Sequence, residues 1–399
     1  MGERDLSFDA AIRFASDLIR IPSPSGGEEA VARRVVDELQ LLGFDDVWTD
    51  EVGNVLGRIR GAGKKPAVML SSHLDVVDPG DAATWEHPPY GGVVADGFLH
   101  GRGAMDIKGP LALQTYAAAR FAGTTPPGDI VVGHTVLEER GGWGMAHLLE
   151  GGEVRPGAVI IGESTGGDIC VGHRGRAEVL VEVRGVAGHA SAPERAANAL
   201  EGVGPIVDAV RSFDATRLDS TDPVLGRASI VATDVIARPA SRNVIPDSAV
   251  IVLDWRLLPG LDADAAAARL DAHLRGQASL PEGLSFSLRY SVEHQRTWTG
   301  VERAWRMFGP GFLVPETHPV VVAAASAVET ATGRRPRIRP WHFATDGRHT
   351  CGERGVPTIG YAPGEERHAH TNAERLELAG ARMVYDAYPA VIMAVLGAL

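Results

Sequence analysis

Short apolar segments alternate with segments of helical spacing through much of this chain. Helical spacing covers residues 8–20, 27–42 and 109–123, and Pro110 suits the first turn of the third segment. Strands that are apolar on both faces and separated by helices are typical of a largely parallel sheet covered on both sides. The sequence therefore predicts an α/β fold with a mixed, largely parallel sheet flanked by helices. Its predicted strands are 67–70, 129–137, 157–162 and 356–362.

The middle of the chain has a different order of elements. Strands are predicted at 177–185, 228–237, 249–257 and 284–292, and helices at 196–213 and 262–276. This βαββαβ order is typical of a ferredoxin-like domain. Because it interrupts the α/β pattern, we expect residues 1–173 and 295–399 to form one catalytic, metal-binding domain. Residues 174–294 would be an inserted lid and dimerisation domain, and 295–317, which has no clear period, a return linker.

Composition argues against several classes of protein. The net charge of −12 does not favour a surface for nucleic acid or for an anionic membrane. No apolar run approaches the roughly 20 residues that cross a bilayer, and the charged, amphipathic start is not typical of a secretory signal. Two cysteines, Cys170 and Cys351, imply no disulfide framework, so we expect a cytoplasmic protein.

Acidic residues or histidines follow each of the four apolar strands. Ligands of open α/β sheets bind outside the carboxyl ends of the strands, so we expect these side chains to gather at one edge. Asp106, in the glycine-rich loop "GRGAMDIKG" before a helix, can reach the same edge. The residues that follow the strands are His73, Asp75, Glu138, Glu139, Glu163, His368 and His370.

A cluster of carboxylates in one place requires compensating charge. Close carboxylates repel one another and would have to bind protons, whereas two divalent cations remove that cost and use neutral histidines as ligands. Two imidazoles and three carboxylates suit two zinc-type ions roughly 3.5–4 Å apart, bridged by one carboxylate. Residues two apart in a strand share a face, so Asp75 can orient the ring of His73. Glu138 and Glu139 point apart, so one can bind metal and the other act as general base.

Other interpretations of the same residues exist. The segment "GESTG" (162–166) fits the nucleophile-elbow pattern of serine hydrolases, with Ser164 as nucleophile. That pattern requires a helix immediately afterwards, and the following residues predict a strand instead. A binding protein without activity is disfavoured because neither the base nor any ligand is missing.

The motifs of the chain resemble one family of dinuclear metallohydrolases, the group of acetylornithine deacetylase, succinyl-diaminopimelate desuccinylase and carboxypeptidase G. The resemblance covers nearly the whole chain. It is carried, in the family's order, by "SSHLDVVDPGDAATWEHPPYGGVVADGFLHGRGAMDIKG", "TVLEERGGWG", "VIIGEST", "GVAGHASAPERAANA", "SRNVIPD", "LDWRLLPG", "FATDGR" and "GYAPGEERHAHTNAE".

The resemblance implies a zinc aminopeptidase-like catalytic domain and a role for each site residue. His73 and Glu163 would bind one ion, Glu139 and His370 the other, and Asp106 would bridge both. Glu138 would be the general base and Asp75 the residue that orients His73. The spacing to Glu374 selects His370 rather than His368 as the ligand.

The resemblance also assigns residues of the inserted domain. His189 would reach the active site of the partner subunit and stabilise the oxyanion; a histidine on a surface loop is the alternative interpretation. Asn243 and Arg256 match positions that recognise substrate, and Arg256 could equally form a structural ion pair. The chain departs from the family pattern at Ile107 and Pro110, and "FATDGR" lacks a doubled glycine, which affects the substrate pocket.

The function implied is metal-dependent hydrolysis of the amide bond of a small N-acyl amino acid, of the deacetylase or desuccinylase type. Metal-activated water would be the nucleophile, with Glu138 as base. A metallo-exopeptidase or dipeptidase with the same centre is the alternative, acting on short peptides. Two divalent ions are expected, zinc first, with cobalt or manganese as substitutes. We expect a homodimer through 174–294 and no partnership with nucleic acid or membrane.

Overall fold

The computed structural model of the protein describes residues 4–213 and 221–399. The chain forms two compact units. The first comprises Met1–Gly172, His294–Arg303 and Leu313–Leu399, and the second His173–Glu293 and Ala304–Phe312. The assignment of catalysis to one predicted domain, and of lid and dimerisation to the other, stays a prediction.

Eight helices occur among the described residues, and α5 and α6 belong to the second unit. They are α1 Phe8–Ile19, α2 Glu29–Leu41, α3 Lys108–Ala119, α4 Trp143–Gly151, α5 Val203–Ser212, α6 Ala263–Gln277, α7 Pro319–Thr332 and α8 Leu378–Ala398.

The strands of the described residues are β1 Asp46–Thr49, β2 Val55–Ile59, β3 Ala67–His73, β4 Val93–Ala95, β5 Phe98–His100, β6 Ile130–Thr135, β7 Pro156–Ile161, β8 Ile169–Cys170, β9 Gly172–His173, β10 Gly175–Arg184, β11 Gly188–His189, β12 Thr221–Asp222, β13 Gly226–Arg227, β14 Ser229–Ile236, β15 Val244–Ile245, β16 Ser248–Leu257, β17 Ser285–Tyr290, β18 Val292–Arg296, β19 Glu302–Arg306, β20 Phe308–Gly309, β21 Phe312–Leu313, β22 Ile338–Arg339, β23 Thr358–Gly360 and β24 Arg375–Glu377.

The first unit is built on an eight-stranded mixed sheet in the order β1-β2-β6-β3-β7-β23-β8-β22. The central strands β6, β3, β7 and β23 are parallel to their neighbours within this group, whereas β1 and β2 are antiparallel. This confirms the predicted fold class. Because the four central strands are adjacent and parallel, their carboxyl ends lie at one edge of the sheet.

Helix α3 packs against the sheet of the first unit. Every residue of α3 is buried, so this helix lies within the core rather than at the surface. Helix α1, which packs against α3, begins after Ser7, whose side chain accepts a hydrogen bond from the backbone N–H of Ala10. A fully buried helix next to parallel strands fixes the loop that precedes it, and Asp106 lies in that loop.

The second unit contains a five-stranded antiparallel sheet in the order β14-β16-β10-β17, with β20 also paired to β10. Strand β10 alternates buried and partly exposed residues, as expected of a sheet with one covered face. The buried face forms a core with α5 and α6 around Trp255. The βαββαβ order of the inserted unit is therefore present as predicted.

Two boundaries differ from the prediction. The helix predicted at 196–213 begins as a 3₁₀ turn, Ala199–Gly202, after Asn198 caps the N–H of Leu200, and only then continues as α5. The predicted linker 295–317 contains β19 and β20, and β20 pairs with a strand more than 100 residues earlier in the chain. A pairing so distant in sequence leaves no local period.

Among residues 4–213 and 221–399, no helix is both long enough and apolar enough to span a bilayer.

Candidate metal centre

The four adjacent parallel strands deliver the candidate ligands to one edge of the first unit. Strand β3 ends at His73, and β7 ends two residues before Glu163. Strand β6 is followed by a short 3₁₀ turn, Glu138–Arg140, that carries both neighbouring glutamates. His370 comes from the loop after β23. All but His370 are largely buried, so the cluster is open to solvent on the side of this histidine.

Asp106 lies between the two histidines. Its Oδ1 is 3.2 Å from Nε2 of His73, and its Oδ2 is 3.3 Å from Nε2 of His370. Each of these ring nitrogens also faces a glutamate, with Glu163 Oε1 3.5 Å from His73 Nε2 and Glu139 Oε1 3.1 Å from His370 Nε2. A carboxylate with one oxygen facing each imidazole is the arrangement that a bridging ligand requires.

Two overlapping groups of potential ligand atoms lie within 4.8 Å of one another, one of His73, Asp106 and Glu139 and one of His73, Glu138 and Glu163. Distance alone therefore does not separate Glu138 from the ligands. Glu138 has a further contact, because its Oε1 accepts a hydrogen bond from Nη2 of the buried Arg348 at 2.6 Å. A carboxylate already paired with a cation is less available to a metal ion.

The charges of the cluster are not balanced by side chains alone. Burial would lower the pKa of His73, but hydrogen bonds to Asp106, Asp75 and Glu163 raise it well above its ordinary value. Burial likewise opposes ionisation of Asp106, yet its contacts with both histidines hold the pKa of this carboxyl below its usual range.

The other three candidate ligands, Glu139, Glu163 and His370, also lack compensating positive charge. Burial and then the charge of Asp106 raise the pKa of Glu139 to about 7 and that of Glu163 to about 8. Hydrogen bonds to Asp106 and Glu139 raise the pKa of His370 to about 10. Divalent cations would take the place of these protons, and a set of imidazole and carboxylate donors suits zinc-type ions.

Asp75 has a second task that the sequence did not indicate. Nδ1 of His73 is closest to the backbone oxygen of Asp75, at 2.8 Å, and its distance to the carboxylate Oδ1 is 3.5 Å. The carboxylate itself accepts hydrogen bonds from the backbone N–H groups of Glu138 (3.1 Å) and Glu139 (3.2 Å). Asp75 therefore orients the imidazole partly through its main chain and holds the glutamate turn with its side chain.

Two further residues support the centre and were not assigned roles from sequence. Glu374 accepts the backbone N–H groups of Met105 and Asp106, each at 3.1 Å, and pairs with the buried Arg102 at 2.5 Å. Arg348 pairs with Glu138. Glu374 ends the motif "HAHTNAE" and Arg348 ends the motif "FATDGR". A motif alone does not indicate which side chains are in contact.

Of the alternatives considered from sequence, His368 ends a 3₁₀ turn, Glu366–His368, and it is His370 that contacts Glu139 and Asp106. Ser164 is fully buried and is followed by a turn and strand β8 rather than by a helix. The nucleophile elbow needs an exposed serine at a strand-to-helix turn, so this geometry does not suit Ser164 as a nucleophile.

The remaining candidates belong to the second unit. Nε2 of the exposed His189 is 3.3 Å from Nδ2 of Asn243, and β11, which carries this histidine, pairs with β15. Nε of Arg256 donates to Asp254 at 2.7 Å, so this arginine forms the ion pair considered as an alternative. The role of His189 in stabilising the oxyanion and the roles of Asn243 and Arg256 in substrate binding stay predictions.

The sheet and the cluster of imidazole and carboxylate groups at its edge are typical of a metal-dependent hydrolase. The match to the model of peptidase family M20/M25/M40 over residues 69–394 shows that the chain belongs to this family. The resemblance stated from the sequence is thereby confirmed.

Characterised and uncharacterised relatives align along most of the chain. The uncharacterized protein YgeY of Escherichia coli is 33% identical over 366 residues, which cover 91% of this chain and 89% of that protein. The succinyl-diaminopimelate desuccinylase of Methylobacterium nodulans is 31% identical over 425 residues, covering 94% of this chain and 96% of the relative.

Solved structures share the fold at lower identity. Aminopeptidase PepT of Bacillus cereus superposes with a TM-score of 0.74 at 22% identity, covering 98% of this chain and 99% of the other. The YXEP protein of Bacillus subtilis, described as a dinuclear metal binding peptidase of the M20 family, gives a TM-score of 0.71 at 16% identity, with 99% and 100% covered.

Proposed function

We propose that this protein hydrolyses the amide bond of a small N-acyl amino acid, in the manner of a deacetylase or desuccinylase. The observation that carries this proposal is the position of Asp106 between His73 and His370, with Glu138 beside the cluster but paired with Arg348. The arrangement offers a bridging ligand and a separate base, and amide hydrolysis needs both.

Each candidate residue has a proposed task. Two divalent ions, zinc in the first instance, would be held by His73, Asp106, Glu139, Glu163 and His370 and would supply Lewis acidity and an activated water molecule. Glu138 would take the proton of the attacking water and return it to the departing amine, while Arg348 holds its other oxygen. Asp75 would keep His73 and the turn of residues 138–139 in place.

The second unit would supply contacts to the substrate. His189 would stabilise the oxyanion from the partner subunit, and its neighbour Asn243 would contact the substrate. Arg256 would bind a substrate carboxylate after leaving Asp254.

Support for the acyl substrate comes from the relatives. The desuccinylases align over most of this chain at 28–31% identity. An exopeptidase or dipeptidase is the second candidate, because aminopeptidase PepT and human carnosine dipeptidase 1 share the fold with TM-scores of 0.74 and 0.71. Their identities of 22% and 17% bear on the fold alone, so we place the deacylase first.

A substrate panel tests the proposal. The metal-loaded protein would be assayed with N-acetyl, N-succinyl and aminoacyl derivatives of the same amino acids. We expect at least one N-acyl series to exceed the aminoacyl series in kcat/KM by about tenfold or more, which is about 1.4 kcal/mol in the barrier. The reverse order would establish the exopeptidase, and no hydrolysis of any member would reject the function.

A homodimer through 174–294 completes the proposal. Strand β14 is at one end of the sheet order of the second unit and exposes Val231, Val235 and Ile236. An exposed apolar edge strand is a ready site for pairing with a second copy. Sedimentation at micromolar concentration should give a dimer, and Val235→Lys should shift it towards monomer. A fully active monomer would contradict this assembly.

We also propose a cytoplasmic location, on the cysteines alone. Cys170 and Cys351 are both free, which suits a reducing compartment.

A further inference from the structure

The loop before α2 carries a buried glutamate that the proposed chemistry does not use. Glu28 immediately precedes α2 and makes no side-chain capping bond to that helix. Its side chain is fully buried, at 0% exposure. Oε1 accepts the backbone N–H groups of Gly26 (3.0 Å) and Leu137 (3.2 Å), and within residues 4–213 and 221–399 Oε2 has no hydrogen-bond partner.

Leu137 is the residue at which the chain turns from β6 towards the glutamates. It has φ 58° and ψ 28°, the left-handed conformation that a leucine rarely adopts. Leu137 is itself buried, so its N–H must be accepted by the protein rather than by bulk solvent. Glu28 is the acceptor, and it therefore helps to hold the turn in this conformation.

The next two N–H groups of the same turn are accepted by a second buried carboxylate. Asp75 Oδ1 accepts Glu138 N–H at 3.1 Å, and Oδ2 accepts Glu139 N–H at 3.2 Å. Oδ2 also accepts the hydroxyl of Ser25 at 2.6 Å. Three consecutive backbone N–H groups thus end on two carboxylates, which we call the carboxylate cradle (Glu28 and Asp75).

We propose that Glu28 is a positioning residue, which with Asp75 fixes the backbone of residues 137–139 and so sets where the side chains of Glu138 and Glu139 lie. The proposal rests on the function proposed above. Glu28 touches neither the candidate ligands nor a reacting atom, and it acts through the Leu137 N–H.

The carboxylate cradle places two acidic groups close together in the protein interior, which is unfavourable for the stability of the fold. Burial and then the neighbouring charge of Asp75 raise the pKa of Glu28 to about 7, so two acids oppose each other inside the fold. One carboxylate oxygen also lacks a partner among the described residues. Local unfavourable features of this kind occur where function requires them.

Two substitutions separate the position of the acceptor from its charge. Glu28→Gln keeps an oxygen at the same reach, and Glu28→Asp keeps the charge but withdraws the oxygen by one methylene. If Glu28 acts as an acceptor, Glu28→Asp should lower kcat by about 10–100-fold with KM within threefold and weaken zinc binding at one of two sites by a similar factor. Glu28→Gln should retain at least a third of kcat.

A matched control is available within α2, the helix that Glu28 precedes. Glu38 is also a buried glutamate, and it pairs with Arg34 at 2.7 Å and with Tyr116, away from the cluster. Glu38→Asp and Glu38→Gln should leave kcat and zinc affinity within twofold of wild type, whatever they do to stability.

The outcomes are distinguishable from failure of the proposed function. Zinc affinity, measured by competition with a chelating dye, decides the inference even if the wild type hydrolyses none of the substrate panel. Wild-type kcat and zinc affinity in folded Glu28→Asp would overturn the inference. Equal losses in Glu28→Asp and Glu38→Asp would also overturn it, because the effect would then belong to any buried glutamate of this region.

Discussion

The substitution Glu138→Gln separates the proposed base from the candidate ligands. Glutamine has the shape of glutamate and keeps an oxygen that can accept the hydrogen bond from Arg348, but it cannot take up a proton at neutral pH. The five candidate ligands are unchanged. We therefore expect this variant to bind metal as the wild type does and to lose turnover.

The size of both effects follows from the structure. A positioned general base contributes about 10²–10⁴-fold to a rate, or about 2.7–5.5 kcal/mol of barrier. Arg348, with 9% of its side chain exposed, would lose a charged partner but not its acceptor, which costs about 1–3 kcal/mol of unfolding free energy. The lower end is expected, because burial and then the charge of Glu138 raise the pKa of Asp346 to about 7, and the substitution removes that unfavourable charge.

Three measurements on one preparation are needed: kcat on the best substrate of the panel, metal per chain by mass spectrometry, and urea unfolding. Glu38→Gln is the control, since it removes a buried, arginine-paired carboxylate away from the cluster. It should lose stability without losing kcat. A folded, metal-loaded Glu138→Gln enzyme with kcat within tenfold of wild type would refute the assignment of the base.

Two further predictions concern residues that support the fold and the centre. Glu374→Ala leaves the buried Arg102 without its charged partner and frees the N–H of Asp106. The free energy of unfolding in urea should therefore fall by about 3–5 kcal/mol, and metal affinity should fall with it. An unchanged free energy of unfolding, or unchanged metal affinity, would contradict this prediction. Burial lowers the pKa of His134 to about 3, below the value of about 6.5 in an unfolded chain. The unfolded state therefore binds the extra proton, and stability is lost as pH falls below about 6.5 until it levels off near pH 3. From pH 7 to pH 5 the wild type should lose about 2 kcal/mol more than His134→Gln, and equal slopes in the two proteins would exclude the effect.

The fold class was accessible from sequence because the central strands are apolar on both faces. Strands of this kind, such as β6, which is buried along its whole length, can be recognised in the sequence as short, mainly apolar runs. Strands β1 and β20 were missed for the opposite reason. The residues of β1 are only partly buried, and β20 is two residues long and pairs with a distant strand.

The candidate ligands could be selected from sequence because the carboxyl ends of adjacent parallel strands must meet. His73 and Glu163 follow this rule directly. The supporting contacts could not be selected in this way. Arg348 reaches Glu138 from 210 residues away, and Glu28 reaches Leu137 from 109 residues away, so only the folded chain shows which side chain each one meets.

The most direct test of this account is the number of divalent ions per chain, measured together with amidase activity before and after chelation. The account predicts about two ions per chain, loss of activity when they are removed, and recovery when zinc is restored. Undiminished amide hydrolysis by metal-free protein would contradict it.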